Sequence, residues 1–207
     1  MTLYPEFVTD YDRSAPAPAD TESATFALGC FWGPSAEFGA LDGVVRTRVG
    51  YAGGTKTDPT YHALGDHSEA VQVDYDPAEL SFSDLLAVAF RNHAPHTQPK
   101  KRQYQNVVFY ESEAEREAIT EFVAASDWPA DAVETRIEPL GAFHLAEDYH
   151  QKFNLGNQAS LERPFEEAGY DAADLRESPA AAKINAHAAG KDVPAFEEAL
   201  TYDPRES

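Results

Sequence analysis

The apolar residues of this 207-residue chain change repeatedly between the spacing of a strand and that of a helix, and their order limits the fold. Ser112 and Glu115 have the spacing of a capping box at the start of one helix. The order of the elements predicts an α+β fold with two layers, in which helices cover one side of a mixed sheet. Along the chain the patterns predict a strand at 24–28, a helix at 34–41, strands at 45–51 and 71–75, a helix at 81–93, a strand at 107–110, a helix from 112 to before Pro129, and a strand at 133–137.

Composition divides the chain into three parts. Residues 1–22 are rich in Pro, Ala, Asp and Ser, which predicts a loosely held, flexible arm. The clear strand and helix patterns all lie in a folded domain at 23–170. The segment 171–207 is alanine-rich and polar. We expect short helices or coil in this C-terminal extension, packed on the domain or trailing from it, rather than a second core.

A single cysteine and a net charge of −20 exclude several classes of protein. One cysteine cannot form a disulfide within the chain, so a redox reaction would have to engage a thiol from outside. The 16 basic residues among 36 acidic ones offer no general attraction to nucleic acid or to anionic lipid. The acids occur along the whole chain, which favours a solvated surface suited to a salty cytoplasm over attraction to a basic partner.

The sequence also predicts where the protein is located. Its longest apolar run, 85–90, is far shorter than the roughly 20 residues that a membrane-spanning helix needs. Residues 1–20 lack the positively charged start and the apolar stretch of a secretory signal. We therefore expect a soluble, cytoplasmic protein.

The cysteine, Cys30, lies at the end of a predicted strand and just before a predicted helix. The positive end of the helix dipole favours a thiolate there, which predicts a lowered pKa for the thiol. A buried structural cysteine is the alternative interpretation. Phe31 and Trp32 follow the sulfur directly, and Gly29 and Gly33 flank all three residues, so the backbone can turn tightly and present these side chains together.

This pentapeptide, Gly29-Cys30-Phe31-Trp32-Gly33, resembles that of the A-type peptide methionine sulfoxide reductases. The resemblance extends over about 24–155, and it implies a ferredoxin-like core and a catalytic domain at 23–170. Two departures from the family pattern are visible. The segment before Tyr104 is shorter and lacks the family's Asp, and His144 stands where the family commonly has Tyr. The other matching segments are Gly50-Tyr51-Ala52-Gly53-Gly54, Pro59-Thr60-Tyr61, His67-Ser68-Glu69-Ala70-Val71 and Ala146-Glu147-Asp148-Tyr149-His150-Gln151.

Glu69 is a candidate proton donor. It stands two and four residues before Val71 and Val73 and should project to the same apolar face, where burial raises the pKa of a carboxyl group. The alternative from the residues alone is an exposed acid at the start of a strand. The family resemblance assigns Glu69 the protonation of the sulfoxide oxygen.

The resemblance also implies the roles of the other residues. Tyr61 and Tyr104 would hold the sulfoxide oxygen, while Phe31 and Trp32 would receive the methyl group of the substrate. The Cys30 thiolate would attack the sulfur and be left as sulfenic acid. The reaction implied is the thiol-dependent reduction of methionine S-sulfoxide, free or in oxidised proteins, with no bound cofactor. Thioredoxin, another thioredoxin-like protein or a small thiol would restore Cys30.

A non-catalytic relative that binds methionine or methionine sulfoxide segments is the alternative to an enzyme. A hydrolase pair or a peroxidase thiol would not explain the adjacent Phe31 and Trp32. The basic run at 100–102 is either a solvated loop or a recognition element for acidic peptides or an acidic reductant. We expect a monomer. We also expect no bound metal ion, because the histidines show no tight ligand spacing. They are His62, His67, His93, His96, His144, His150 and His187.

Overall fold

A six-stranded mixed sheet organises the computed structural model, which describes residues 3–129, 132–194 and 196. The strands stand in the order β5-β4-β1-β3-β2-β6. All neighbouring pairs are antiparallel except β4 and β5, which run parallel. The strands are β1 (Glu22–Ala27), β2 (Val44–Ala52), β3 (Ser68–Tyr75), β4 (Val107–Tyr110), β5 (Arg136–Pro139) and β6 (His144–Leu145).

The centre of this sheet has the predicted ferredoxin-like arrangement. Two helices, α2 (Trp32–Gly39) and α3 (Phe82–Arg91), complete a β1-α2-β2-β3-α3-β4 unit whose strands are ordered β4-β1-β3-β2. That order with antiparallel neighbours is the split βαβ motif. The α+β prediction is therefore confirmed.

The remaining helices lie at the two ends of the chain and after β4. In α4 the predicted capping box is half formed, because Ser112 accepts from the N–H of Glu115 whereas the Glu115 carboxylate accepts from the N–H of Glu111. The helix α8 begins with Pro179, whose fixed φ suits a first turn. These helices are α1 (Pro5–Ser14), α4 (Glu113–Ala125), α5 (Phe153–Gly156), α6 (Ala159–Glu167), α7 (Ala172–Glu177) and α8 (Pro179–Ala188).

The strand β5 starts later than the sequence predicted. The predicted strand at 133–137 loses its first residues, because the N–H groups of Glu134 and Thr135 both donate to the Pro95 carbonyl, at 2.7 and 3.3 Å, instead of pairing with β4. Regular pairing with β4 begins at Arg136. Alternation of side chains could not show this competing acceptor.

The main core lies between the sheet and the helices α2, α3 and α4. Phe26 of β1 stacks on Phe38 of α2 with ring centroids 4.9 Å apart. Leu85 and Leu86 of α3 are fully buried, which agrees with the stripe of apolar residues in that helix. Burying a side chain of this size stabilises the fold by about 1.5–3 kcal/mol.

A second apolar cluster corrects two predictions about the ends of the chain. Residues 1–22 contain α1, whose Val8 is completely buried, so this segment is not simply a flexible arm. The C-terminal helix α8 buries Ile184 in the same cluster, which also contains Leu155 and Phe165. The described part of the extension therefore does take part in a second core, contrary to the prediction, while residues 195 and 197–207 of the predicted extension lie outside the described residues. The sequence did not predict burial of the alanines of α8, because a small side chain gives little hydrophobic signal by itself. In the structure Ala180 and Ala181 are fully buried.

Polar contacts hold α7 and the segment around Lys152 against β2 and β3. Arg48 pairs with Asp74 and with Glu177, the last residue of α7. Lys152 is 2% exposed, and its ammonium group donates to the carbonyl oxygens of Thr47 and Arg176. Burial lowers the pKa of Lys152 to about 7.

Candidate active site

Cys30 is exposed at the point where the chain leaves β1 and enters α2. The preceding Gly29 has φ of +83°, a left-handed conformation that would strain any residue with a Cβ. Partial loss of hydration and the adjacent Glu69 carboxyl raise the pKa of the Cys30 thiol, although the N–H of Trp32 bonds to the sulfur and lowers it. The lowered pKa predicted from the helix dipole was therefore wrong, because the loss of hydration, together with the neighbouring carboxyl group, outweighs the helix terminus.

Glu69 lies at the start of β3 and is only 1% exposed. Its carboxylate accepts from the backbone N–H of Phe31 at 3.1 Å and from the side-chain amide of Gln103 at 2.5 Å. Burial raises the pKa of Glu69, and the opposing contributions of these donors and of Lys101 do not cancel that effect. The raised pKa agrees with the expectation from the sequence.

The Cys30 thiol and the Glu69 carboxyl lie next to each other, and each acts on the pKa of the other. The carboxyl raises the pKa of the thiol and the thiol lowers that of the carboxyl, as expected when a proton on sulfur faces a carboxylate. The two groups therefore titrate as a pair that holds one proton between them. Moving that proton from sulfur to carboxylate generates a nucleophile and an acid together, with no change in net charge.

Aromatic rings surround the same point. Phe31 is 1% exposed, whereas Trp32 is half-buried and stacks on Phe153 with centroids 3.6 Å apart and planes 4° from parallel. Such a stack fixes the orientation of the indole ring. The ring of His150 lies 5.2 Å from that of Phe31 and 5.7 Å from that of Trp32. These rings make an apolar wall suited to a small hydrophobic group.

Tyr61 and Tyr104 lie next to each other beside this wall, and the ring of Tyr61 is 4.8 Å from that of His150. Desolvation and the neighbouring Tyr61 hydroxyl raise the pKa of Tyr104 to about 12, so the Tyr104 hydroxyl keeps its proton. Glu147 fixes the position of Tyr61, because one carboxylate oxygen accepts from the backbone N–H of Tyr61 at 3.0 Å and the other from the Tyr51 hydroxyl at 2.7 Å. Two phenolic groups are thus brought close to Glu69.

His150 is 3% exposed, and neither of its ring nitrogens has a hydrogen-bond partner among the residues that the structure describes. Burial lowers the pKa of His150, although Glu147 opposes that effect from 4.0 Å. The imidazole is therefore neutral at neutral pH and contributes mainly its ring to the wall.

The structure brings all six candidate residues to one place: Cys30, Phe31, Trp32, Tyr61, Glu69 and Tyr104. Sequence reasoning missed the residues that support them. Gln103 holds the Glu69 carboxylate, Glu147 holds Tyr61, and Phe153 holds Trp32. Glu147 lies in the matching segment 146–151, for which the sequence predicted no individual role. No feature of the sequence distinguished Gln103 or Phe153.

Two further expectations concerned histidines. His144 packs edge-on against His67, with ring centroids 5.2 Å apart, and it is held opposite Tyr51 on β6. Within residues 3–129, 132–194 and 196, no three His, Cys, Asp or Glu side chains are arranged to hold a metal ion.

None of the helices in this described part is long and apolar enough to cross a membrane.

An accessible thiol beside a buried carboxyl group and an apolar wall is an arrangement suited to thiol-based redox chemistry. Comparisons with known proteins identify the family. Residues 22–175 match the family model of peptide methionine sulfoxide reductase. The chain belongs to this family, and it is a peptide methionine sulfoxide reductase by descent, which favours the enzyme over the non-catalytic binder.

Individual relatives agree with the family model. The chain is 39% identical to "Peptide methionine sulfoxide reductase A5" of Oryza sativa, over 85% of this chain and 71% of the relative. It is 42% identical to the peptide methionine sulfoxide reductase of Methanothermobacter thermautotrophicus, over 64% of this chain and 85% of the relative. The solved structure of methionine sulfoxide reductase A of Corynebacterium diphtheriae superposes with a TM-score of 0.58 and 30% identity, covering 68% of this chain and 76% of that structure.

Proposed function

We propose that this chain reduces the S-epimer of methionine sulfoxide, free or in oxidised proteins, with Cys30 as the nucleophile and Glu69 as the proton donor. The observation that carries the proposal is the exposed Cys30 thiol beside the buried Glu69 carboxyl, which the N–H of Phe31 holds next to the rings of Phe31 and Trp32. In this proposal residues 23–170 form the catalytic domain, with both ends of the chain packed beside it.

The substrate is placed by groups of opposite character. Its methyl group contacts Phe31 and Trp32, while its oxygen accepts hydrogen bonds from Tyr61, Tyr104 and Glu69. The other epimer, with its methyl group on the same wall, would direct its oxygen away from these donors. A buried donor that loses its acceptor costs about 1–3 kcal/mol, which is the physical basis of selection between the epimers.

The reaction begins when the shared proton moves from the Cys30 sulfur to Glu69. The thiolate then attacks the sulfoxide sulfur, and Glu69 returns the proton to the oxygen as that oxygen leaves the substrate sulfur. The resulting hydroxyl group is transferred to the Cys30 sulfur as the bond between the two sulfurs breaks, so methionine departs and Cys30 becomes sulfenic acid. The sulfoxide gains two electrons and the cysteine loses two, so the step is balanced without a cofactor.

Regeneration needs two thiol groups from outside, because these 207 residues contain no second cysteine. A first thiol attacks the sulfenic acid, forms a mixed disulfide with Cys30 and releases water. A second thiol then attacks the mixed disulfide and releases Cys30 as a thiol. A dithiol protein such as thioredoxin supplies both groups, as do two molecules of a small thiol. The exposed position of Cys30 allows either route.

The remaining parts of the proposal concern the cellular setting. A cycle that consumes thiols requires a reducing compartment, which supports the cytoplasm. The excess of 36 acidic residues over 16 basic ones supports a monomer, because like charge opposes self-association. No bound organic cofactor or metal has a role in the proposed cycle.

The test is turnover of separated epimers with dithiothreitol as the reductant. We expect methionine to form from the S-epimer of an acetylated, amidated methionine sulfoxide, and we expect no methionine from the R-epimer. The control is Cys30→Ser, which removes the nucleophile at an exposed position without disturbing the core. Equal turnover of both epimers, or undiminished turnover by the Cys30→Ser variant, would overturn the proposal.

A further inference from the structure

Three consecutive cations stand out at the edge of the active site on this acidic chain. Lys100, Lys101 and Arg102 are all exposed. Among the residues that the structure describes, none of the three has a carboxylate within ion-pair distance. The net charge of −20 makes such an unpaired group of cations unusual here.

The three cations differ in their surroundings. Arg102 donates to the carbonyl oxygens of Asp66 and Gly53, at 2.9 and 3.0 Å, so its guanidinium group braces two loops. Lys101 is placed over the ring of Tyr104, with its ammonium nitrogen 4.9 Å from the ring centroid. A cation at that distance from an aromatic face is attracted to it, which gives the flexible side chain a preferred position.

That position lies next to the reacting groups. Tyr104 adjoins Tyr61, and the charge of Lys101 acts on the Glu69 carboxyl. The turn that carries Lys101 is anchored to the sheet, because the Ser68 hydroxyl donates to the Arg102 carbonyl at 2.8 Å. A fixed turn and a ring contact therefore hold one positive charge at the entrance to the methionine sulfoxide pocket.

We propose that Lys101 is a specificity-determining residue that favours substrates with a carboxylate close to the methionine sulfoxide side chain. The inference rests on the proposed function and adds a substrate class to it. The carboxylate has two possible sources: an Asp or Glu beside the oxidised methionine in a protein, and the α-carboxylate of the free amino acid. The Asp66 carboxylate, in the loop that Arg102 contacts, is already occupied by the backbone N–H groups of Thr55 and Lys56.

The size of the effect follows from the exposure of the pair. Exposed ion pairs contribute little because water and salt screen them, which corresponds to a roughly 1.5- to 5-fold preference in kcat/KM. At about 1 M salt the screening length falls to about 3 Å, and the preference should largely disappear. Lys101 also influences Glu69, so a change at this position alters the rate with every substrate. A ratio of two substrates removes that common change.

The experiment measures kcat/KM with dithiothreitol at low ionic strength for two matched pairs of substrates. One pair is a short peptide with Glu on both sides of methionine sulfoxide and the same peptide with Gln. The other pair is free methionine sulfoxide and its amide. We expect Lys101→Gln to lower the acid-to-amide ratio by roughly 1.5- to 5-fold in at least one pair. The pair that responds identifies the source of the carboxylate.

Two matched variants control for charge and position. Lys101→Arg keeps the cation and should keep the ratio, whereas Lys100→Gln removes the neighbouring exposed cation and should leave the ratio unchanged. An unchanged acid-to-amide ratio for both substrate pairs in Lys101→Gln would overturn the inference. The inference would equally be overturned if Lys101→Gln changed only the KM for a protein dithiol reductant. Absence of turnover with all four substrates would instead refute the proposed function, so the two failures are distinguishable.

Discussion

Replacing Glu69 with Gln separates the two roles that the structure gives to this carboxyl group. Glutamine has nearly the same shape, and its side-chain oxygen can still accept from the N–H of Phe31, so the fold should persist. The variant has no acidic proton to deliver to the departing oxygen. It also removes the charge and the acceptor that raise the pKa of the Cys30 thiol.

Turnover should fall sharply, while the thiol should become more acidic. General acid catalysis contributes about 10²–10⁴-fold, equal to about 2.7–5.5 kcal/mol of transition-state stabilisation. Because Tyr61 and Tyr104 still donate hydrogen bonds to the oxygen, some activity should remain. The pKa of Cys30 should move down, since loss of a neighbouring carboxylate favours the thiolate.

The pH dependence gives a second readout. In the wild-type enzyme one proton is shared, so activity should fall both below the lower pKa and above the higher pKa of the pair. In Glu69→Gln the fall at high pH should vanish, and the residual rate should rise once with the ionisation of Cys30. Rapid alkylation of Cys30 as a function of pH, together with single-turnover rates, measures both effects. A variant with more than about a tenth of wild-type turnover, or with an unchanged or higher thiol pKa, would refute the reasoning.

Three further predictions follow from other parts of the structure. Gln103→Leu removes a donor that lowers the pKa of Glu69, so the alkaline fall in activity should move to higher pH, as steady-state pH profiles would show. Val8→Ala should lower the free energy of unfolding by roughly 1–3 kcal/mol in denaturant titrations without changing turnover; unchanged stability would mean that α1 is not packed. Between pH 7 and 10.5 Lys152 carries a proton in the unfolded chain but not in the folded chain. The free energy of unfolding should therefore rise with pH across that window, by up to about 1.4 kcal/mol per pH unit. Lys152→Met should flatten this slope.

The central fold could be predicted from the sequence because its elements have strong local signals. Alternation identified β2 and β3, and the spacing of apolar residues at 82–90 identified α3, which Ser81 caps in the structure. The ends of the chain could not be predicted in this way. Val8 and Ile184 are far apart in sequence, and each looks unremarkable until α1 and α8 pack in the same cluster. Burial of that kind is a tertiary property with no local pattern.

The site divides along the same line. Cys30 and its two aromatic neighbours are consecutive, so one short motif contained them. Gln103 is 34 positions from Glu69, and their 2.5 Å hydrogen bond depends on how the turn at Arg102–Tyr104 meets β3. The prediction of the thiol pKa was wrong for a related reason, because the helix terminus is visible in the sequence whereas the loss of hydration at Cys30 and the nearby carboxyl group are visible only in the fold.

The most direct test of the mechanism is the mass of Cys30 after one turnover without a reductant. The enzyme is mixed with an excess of methionine S-sulfoxide substrate, and the released methionine is counted while a sulfenic-acid probe captures the oxidised thiol. We predict one methionine per chain and one captured sulfenic acid at Cys30, with neither product in Cys30→Ser. Formation of methionine with an unmodified Cys30 thiol would contradict nucleophilic attack by this cysteine.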